Sequence, residues 1–121
     1  MEKVLIVDDD SLFRKMLKDS LHSQLPSLNI LEAKTGQEAM EIIQTSHPDL
    51  IFMGIQLPDG NGLEVTHQIK KLYPEVKVII VTNYDQPEYR EAAFRFGGDC
   101  YIPKDSLAYV RLEKLVKTLV K

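Results

Sequence analysis

Asp49-Leu50-Ile51-Phe52-Met53-Gly54-Ile55-Gln56-Leu57-Pro58-Asp59-Gly60-Asn61-Gly62 runs from apolar residues into a turn rich in Gly, Pro, Asp and Asn. That pattern reads as a buried strand ending at a functional loop. Other apolar runs end the same way. Val4 to Val7 leads into Asp8-Asp9-Asp10, Val78 to Val81 into Thr82, and Cys100 to Ile102 toward Lys104. In a parallel α/β sheet, ligands bind at the carboxyl ends of the strands. Acid, hydroxyl and ammonium groups should therefore converge beside the end of the central strand. The residue that meets them there is Gly54, which has no side chain.

Outward from this stretch, the chain alternates strand and helix five times. Lys3 to Val7 is a β-branched strand. Asp10 caps a helix over Ser11 to Gln24, with Leu12, Phe13, Met16, Leu17 and Leu21 at helical spacing and Pro26 beyond its end. Leu28 to Leu31 is a second strand. Thr35-Gly36-Gln37-Glu38 is a capping box, followed by Ala39, Ile42 and Ile43 as a buried stripe, and His47-Pro48 ends that helix. Leu50 to Met53 is the third strand. Asn61 caps a helix over Gly62 to Leu72, with Leu63, Val65 and Ile69 facing inward, closed by Pro74. Val76 to Val81 is the fourth strand. Asp85 caps a helix with Pro87 in its first turn, which Gly97-Gly98 stops. Cys100 to Ile102 is the fifth strand. Asp105 or Ser106 caps a last helix that carries Leu107, Val110, Leu115, Val116 and Leu119 and extends to Lys121. Short apolar strands alternating with amphipathic helices imply a doubly wound parallel sheet with helices on both faces.

The bulk numbers fit one such domain. The chain has 121 residues, 44% of them apolar and 27% charged. A net charge of −3 argues against nonspecific nucleic-acid binding by this domain. No apolar run approaches the roughly 18 residues needed to span a bilayer. Met1-Glu2-Lys3 leads directly into a strand rather than into a signal peptide. Cys100 is the sole cysteine, so no internal disulfide forms, and its apolar neighbours suggest a buried, unreactive thiol. A reducing cytoplasm suits these features.

An acidic pair after the first strand, a Pro- and Gly-containing loop after the third, Thr after the fourth and Lys after the fifth resemble the receiver domain of bacterial two-component response regulators. The resemblance spans residues 1–121, with the four features in the right order and spacing. It implies a flavodoxin-like (βα)5 fold with strand order 2-1-3-4-5. It also implies a signalling switch that accepts a phosphoryl group from a sensor histidine kinase onto an aspartate at the end of the third strand. The surface built from the fourth helix, fifth strand and fifth helix would then change toward a partner. By the same resemblance, Asp8, Asp9 and the backbone carbonyl of Gln56 hold Mg2+. Thr82 bonds a phosphoryl oxygen, Lys104 pairs with it, and Tyr101 is the aromatic whose inward or outward rotamer follows the switch.

Gly54 departs from the family at the phosphoacceptor position, where the chemistry needs a carboxylate nucleophile. One Mg2+ ligand goes with it, and Asp59, beyond Pro58, is placed too far out to substitute. Two origins fit: a natural receiver that does not use phosphorylation, or an engineered Asp-to-Gly form of an active one. The otherwise intact site favours the second. Asn83 stands where the family has a small residue, and Asp105 follows Lys104 where many members have Pro. The Lys104-Asp105 ending resembles receivers that carry a LuxR-type helix-turn-helix output domain beyond residue 121, and a homodimer is compatible with the resemblance. The rival from another class is a haloacid-dehalogenase-like Mg2+-dependent phosphatase using Asp8-x-Asp10. Against it, Ser11-Leu12 breaks that family's pattern and no late acidic pair follows Lys104. The three histidines, His22, His47 and His67, fall in separate elements without metal-ligand spacing.

Overall fold

A computed structural model describes residues 2–83 and 85–120. Met1, and Lys121 at the far end of the last expected helix, lie outside the described residues. Five parallel strands, β1 (Lys3–Val7), β2 (Asn29–Ala33), β3 (Leu50–Gly54), β4 (Lys77–Thr82) and β5 (Cys100–Pro103), form one sheet in the order β2-β1-β3-β4-β5. The helices α1 (Ser11–Gln24), α2 (Gly36–Ser46), α3 (Gly62–Leu72), α4 (Pro87–Arg95) and α5 (Leu112–Leu119) cover it on both faces. This is the expected α/β doubly wound, flavodoxin-like architecture.

Strand alternation sorts the core into two clusters. Val4 and Ile6, Leu50 and Phe52, and Ile79 and Val81 pack with Leu17 and Leu21 of α1 and with Leu112 and Val116 of α5. Leu5 and Val7, Ile51 and Met53, and Val78 and Ile80 pack with Ala39 and Ile43 of α2, Ile69 of α3 and Ala93 of α4. Strands β1, β3 and β4 are almost wholly buried because helices cover both sides of them, which is why they read as unbroken apolar runs. No helix among the described residues is long and apolar enough to cross a membrane.

Several local expectations are corrected. β2 begins at Asn29 and runs to Ala33, later than the expected Leu28 to Leu31. It is an edge strand with a mixed burial pattern, so its polar Glu32 hides the continuation. On α1, Phe13, Leu17 and Leu21 face inward while Leu12 and Met16 are exposed, because a stripe five residues wide exceeds what one sheet face covers. Gln86, not Asp85, occupies the N-cap of α4 and makes no side-chain cap bond there; Asp85 lies 4.0 Å from Arg90 instead. The expected single last helix is two pieces, a 3-10 turn over Lys104–Tyr109 and then α5. Val110 is extended between them, so Leu107 and Val110 belong to the turn and its exit rather than to α5. Cys100 is only half-buried, since β5 is the other edge of the sheet. Its thiol is nevertheless pushed up in pKa, chiefly by burial, which keeps it protonated and unreactive.

Candidate functional site

Pairing register brings the site residues to one end of the sheet. Val7 is level with Met53, Gly54 with Val81, and Thr82 with Pro103. Asp8 follows Val7 and Lys104 follows Pro103, so Asp8, Gly54, Thr82 and Lys104 meet at the carboxyl ends of adjacent strands. Asp8, Asp9, Gln56, Thr82, Asn83 and Lys104 line a shared cavity of about 70 Å³. That is room for a few waters or a small ion, not for a metabolite.

The Asp8 carboxylate is the electrostatic centre. It is buried, at 3% exposure, and its Oδ2 lies 2.9 Å from Lys104 Nζ. Its Oδ1 accepts the Asp10 N–H at 2.9 Å. The Lys104 ammonium also sits 4.3 Å from the centroid of the Phe13 ring, which adds a cation–π contact. Arg14, one turn into α1, donates to the Asp8 carbonyl at 2.6 Å and to Glu32 Oε1 at 3.0 Å, holding the acidic turn against β2. Neither Phe13 nor Arg14 was read from the sequence as part of the site. The available signal was an aromatic–basic pair three and four residues after Asp10, on the first turn of a helix that starts at the site. Asp9 is exposed beside the cavity. Asp10 accepts from Leu12 N–H at 3.0 Å and Phe13 N–H at 3.1 Å, so it is the helix cap expected.

Gly54 faces this carboxylate directly. A Cβ built on it would lie 2.8 Å from Asp8 Oδ2 and 3.2 Å from the Val7 carbonyl. Position 54 therefore opens onto the acidic pocket, and Asp8 lies across the space that a side chain there would need.

The loop after β3 is tightly built. Gln56–Leu57 pairs with Gly60–Asn61 as a two-rung antiparallel ribbon. The Gly62 N–H donates to the Ile55 carbonyl at 2.6 Å, and a Cβ at Gly62 would run into the Gly54 carbonyl oxygen. Glycine at 62 is what lets α3 start against the end of β3. Asp59-Gly60-Asn61-Gly62 reads as turn and cap chemistry, with Asp59 in the turn before α3. The Asp59 carboxylate accepts from Gly36 N–H at 2.9 Å and Gln37 N–H at 3.0 Å, the first two residues of α2. These bonds, that from Gly36 first, hold its pKa below the usual carboxylate range. The capping box is present in part: Thr35 Oγ1 accepts from Glu38 N–H, while Glu38 reaches back to Lys34 N–H rather than to Thr35.

Tyr101 points inward, at 5% exposure, with the Arg90 guanidinium 4.8 Å from its ring centroid. Burial, ahead of the nearby Asp85 carboxylate, pushes its hydroxyl up in pKa. Thr82 is buried too and continues the alternation of Val78 and Ile80, whose cluster contains Tyr101.

The family model of the response regulator receiver domain matches residues 4–117. The chain is a member of that family. The receiver is 35% identical over 116 residues to the response regulator protein VraR of Staphylococcus saprophyticus, covering 96% of this chain and 56% of that one. Among solved structures, it superposes on a CheY-like response regulator receiver domain protein from Methanospirillum hungatei with a TM-score of 0.87, at 31% identity, covering 98% of this chain and 94% of the other. A LuxR-family DNA-binding response regulator from Staphylococcus aureus gives a TM-score of 0.82 at 28% identity, covering 98% of this receiver and 96% of that chain. The receiver thus spans little more than half of VraR. Nothing in these likenesses favours the phosphatase reading.

Among the described residues, no three His, Cys, Asp or Glu side chains come together as a metal cluster. The donors that the resemblance would assign to a metal here are two carboxylates, Asp8 and Asp9, with the Gln56 carbonyl. Mg2+ is commonly held by one or two carboxylates while keeping several waters, so these donors suit it as a sparse, water-rich site.

Proposed function

We propose that this receiver is a two-component signalling module that forms no aspartyl phosphate at the usual position, because Gly54 stands where the phosphoacceptor carboxylate would be. The observation that carries the reading is the 2.8 Å approach of a Cβ at 54 to Asp8 Oδ2: the position faces the acidic pocket and supplies no nucleophile to it. Thr82 and Lys104, which both line the cavity, would bond and neutralise a phosphoryl group. Lys104, lacking an acid at 54, pairs with Asp8. Tyr101 is inward, one of the two positions between which its ring would move with the switch. The module acts by contact, not by turnover of a metabolite. Its partners are a sensor histidine kinase and, in a longer chain of the kind VraR and the LuxR-family protein represent, a helix-turn-helix output domain. Pairing with a second copy and a cytoplasmic location complete the reading.

Asp8, Asp9 and the Gln56 carbonyl would hold Mg2+, which would supply charge neutralisation for a nearby anion. Two carboxylates in place of three lower both the site charge and the ligand count, so affinity falls. Calorimetric titration of this chain and of its Gly54→Asp form is expected to show measurable binding in both and tighter binding in the Asp form. Equal affinities would mean that residue 54 is no ligand and that the proposed roles are misassigned. A generic phosphatase substrate supplied with Mg2+ should not be turned over; turnover would revive the rival enzyme.

A further inference from the structure

We propose that Asp59 is a positioning residue for the metal side of the site, latching the loop after β3 onto the first turn of α2. The inference rests on the preceding reading in one respect only, that Gln56 serves a cation. The loop from Ile55 to Asn61 is anchored at its far end by the Gly62 N–H bond to Ile55 and by Asn61, whose side chain accepts from Leu63 N–H at 2.7 Å. Both of these contacts lie within the loop and α3. Asp59 makes the bonds that reach another helix, 23 and 22 residues back in sequence, to Gly36 and Gln37.

The chemistry suits a latch. A carboxylate offers two acceptors, and the first turn of a helix offers unpaired N–H donors and the positive end of its dipole. One Asp59 oxygen takes each donor, and Thr35 takes the next, at Glu38. Asp59 sits at the tip of the two-rung ribbon, one residue before Gly60, whose φ of 156° lets the chain fold back. With the tip fixed to α2, the Gln56 rung is fixed as well. Without it, the two-residue ribbon is too short to hold itself in water. A plain cap would serve α2 alone. A latch serves the loop, and the two roles separate by experiment.

The test uses Asp59→Ala and Asp59→Asn, both at an exposed loop position that folding should tolerate. Amide hydrogen exchange and Mg2+ calorimetry are measured on each alongside the parent chain. The latch requires exchange at Leu57 and Gly60, the hydrogen-bonded rung of the ribbon, to rise roughly tenfold in the Ala form, with a smaller rise in the Asn form, which keeps one acceptor. It also requires Mg2+ binding to weaken by about tenfold in the Ala form. Faster exchange confined to Gly36, Gln37 and the rest of α2, with the loop unchanged, overturns the proposal and leaves Asp59 a helix cap. A loosened loop with unaltered Mg2+ affinity overturns the positioning role. If the parent chain itself binds no Mg2+, the metal reading of the site fails, and the latch is decided by loop exchange alone.

Discussion

Asp8→Ala is expected to lower the unfolding free energy by about 3–5 kcal/mol, because it strips the counter-charge from a largely buried ammonium. Lys104 is 16% exposed at its side chain and Asp8 4%, so solvent screens their contact poorly. The substitution also frees the Asp10 N–H that Asp8 Oδ1 accepts. Phe13 offers Lys104 its ring face, which is a weaker partner than a carboxylate. Urea unfolding of the parent, Asp8→Ala, Lys104→Met and the double variant would separate these effects. The double variant should recover much of the loss, since removing both charges is far less costly than orphaning one. A loss under about 1 kcal/mol in Asp8→Ala would mean that the pair behaves as an exposed surface ion pair.

Gly54→Asp is expected to lower the melting temperature in EDTA, with Mg2+ recovering much of the loss. Two effects oppose each other. Glycine at the end of a buried strand costs about 0.5–1 kcal/mol in chain entropy, which any side chain regains. Against this, a third carboxylate enters beside Asp8 and Asp9. At ~4–6 Å and an effective dielectric near 20, each close pair repels by roughly 3–4 kcal/mol before screening. Sterics add to the charge effect: a Cβ at 54 stands 2.8 Å from Asp8 Oδ2, so the Asp8 carboxylate must turn away and its contact with Lys104 is disturbed. Lys104 would then be shared among more acids than one ammonium can neutralise. Repulsion prevails without metal, and the drop should amount to several degrees. A higher melting point for the Asp form in EDTA at neutral pH would show that the backbone effect dominates.

The parallel sheet was legible because β1, β3 and β4 are buried on both faces and therefore write themselves as apolar runs ending in Asp8, Gly54 and Thr82. The edge strands were less clear. β2 carries polar Asn29 and Glu32, and its bounds were read too early. Alternation held one further clue: Asp8 shares its face with Val4 and Ile6, as Gly54 does with Leu50 and Phe52, which marks Asp8 rather than Asp9 as the acid facing Lys104. What the sequence hid were contacts between elements far apart in the chain. The Asp59 bonds to α2 depend on how a turn docks against a helix, and local spacing carries no trace of that. The break at Val110 was hidden for a related reason: the apolar spacing from Leu107 to Leu119 is compatible with one helix, and only packing against α1 and the sheet divides it.

The direct test of a receiver silenced at residue 54 is intact mass after incubation with acetyl phosphate and Mg2+, run on this chain and on Gly54→Asp side by side. The expected result is no covalent gain on the parent chain and the gain of one phosphoryl group on the Asp form, mapping to residue 54. A stable phosphoryl group on the parent chain, at Asp8, Asp9 or Asp59, would contradict it.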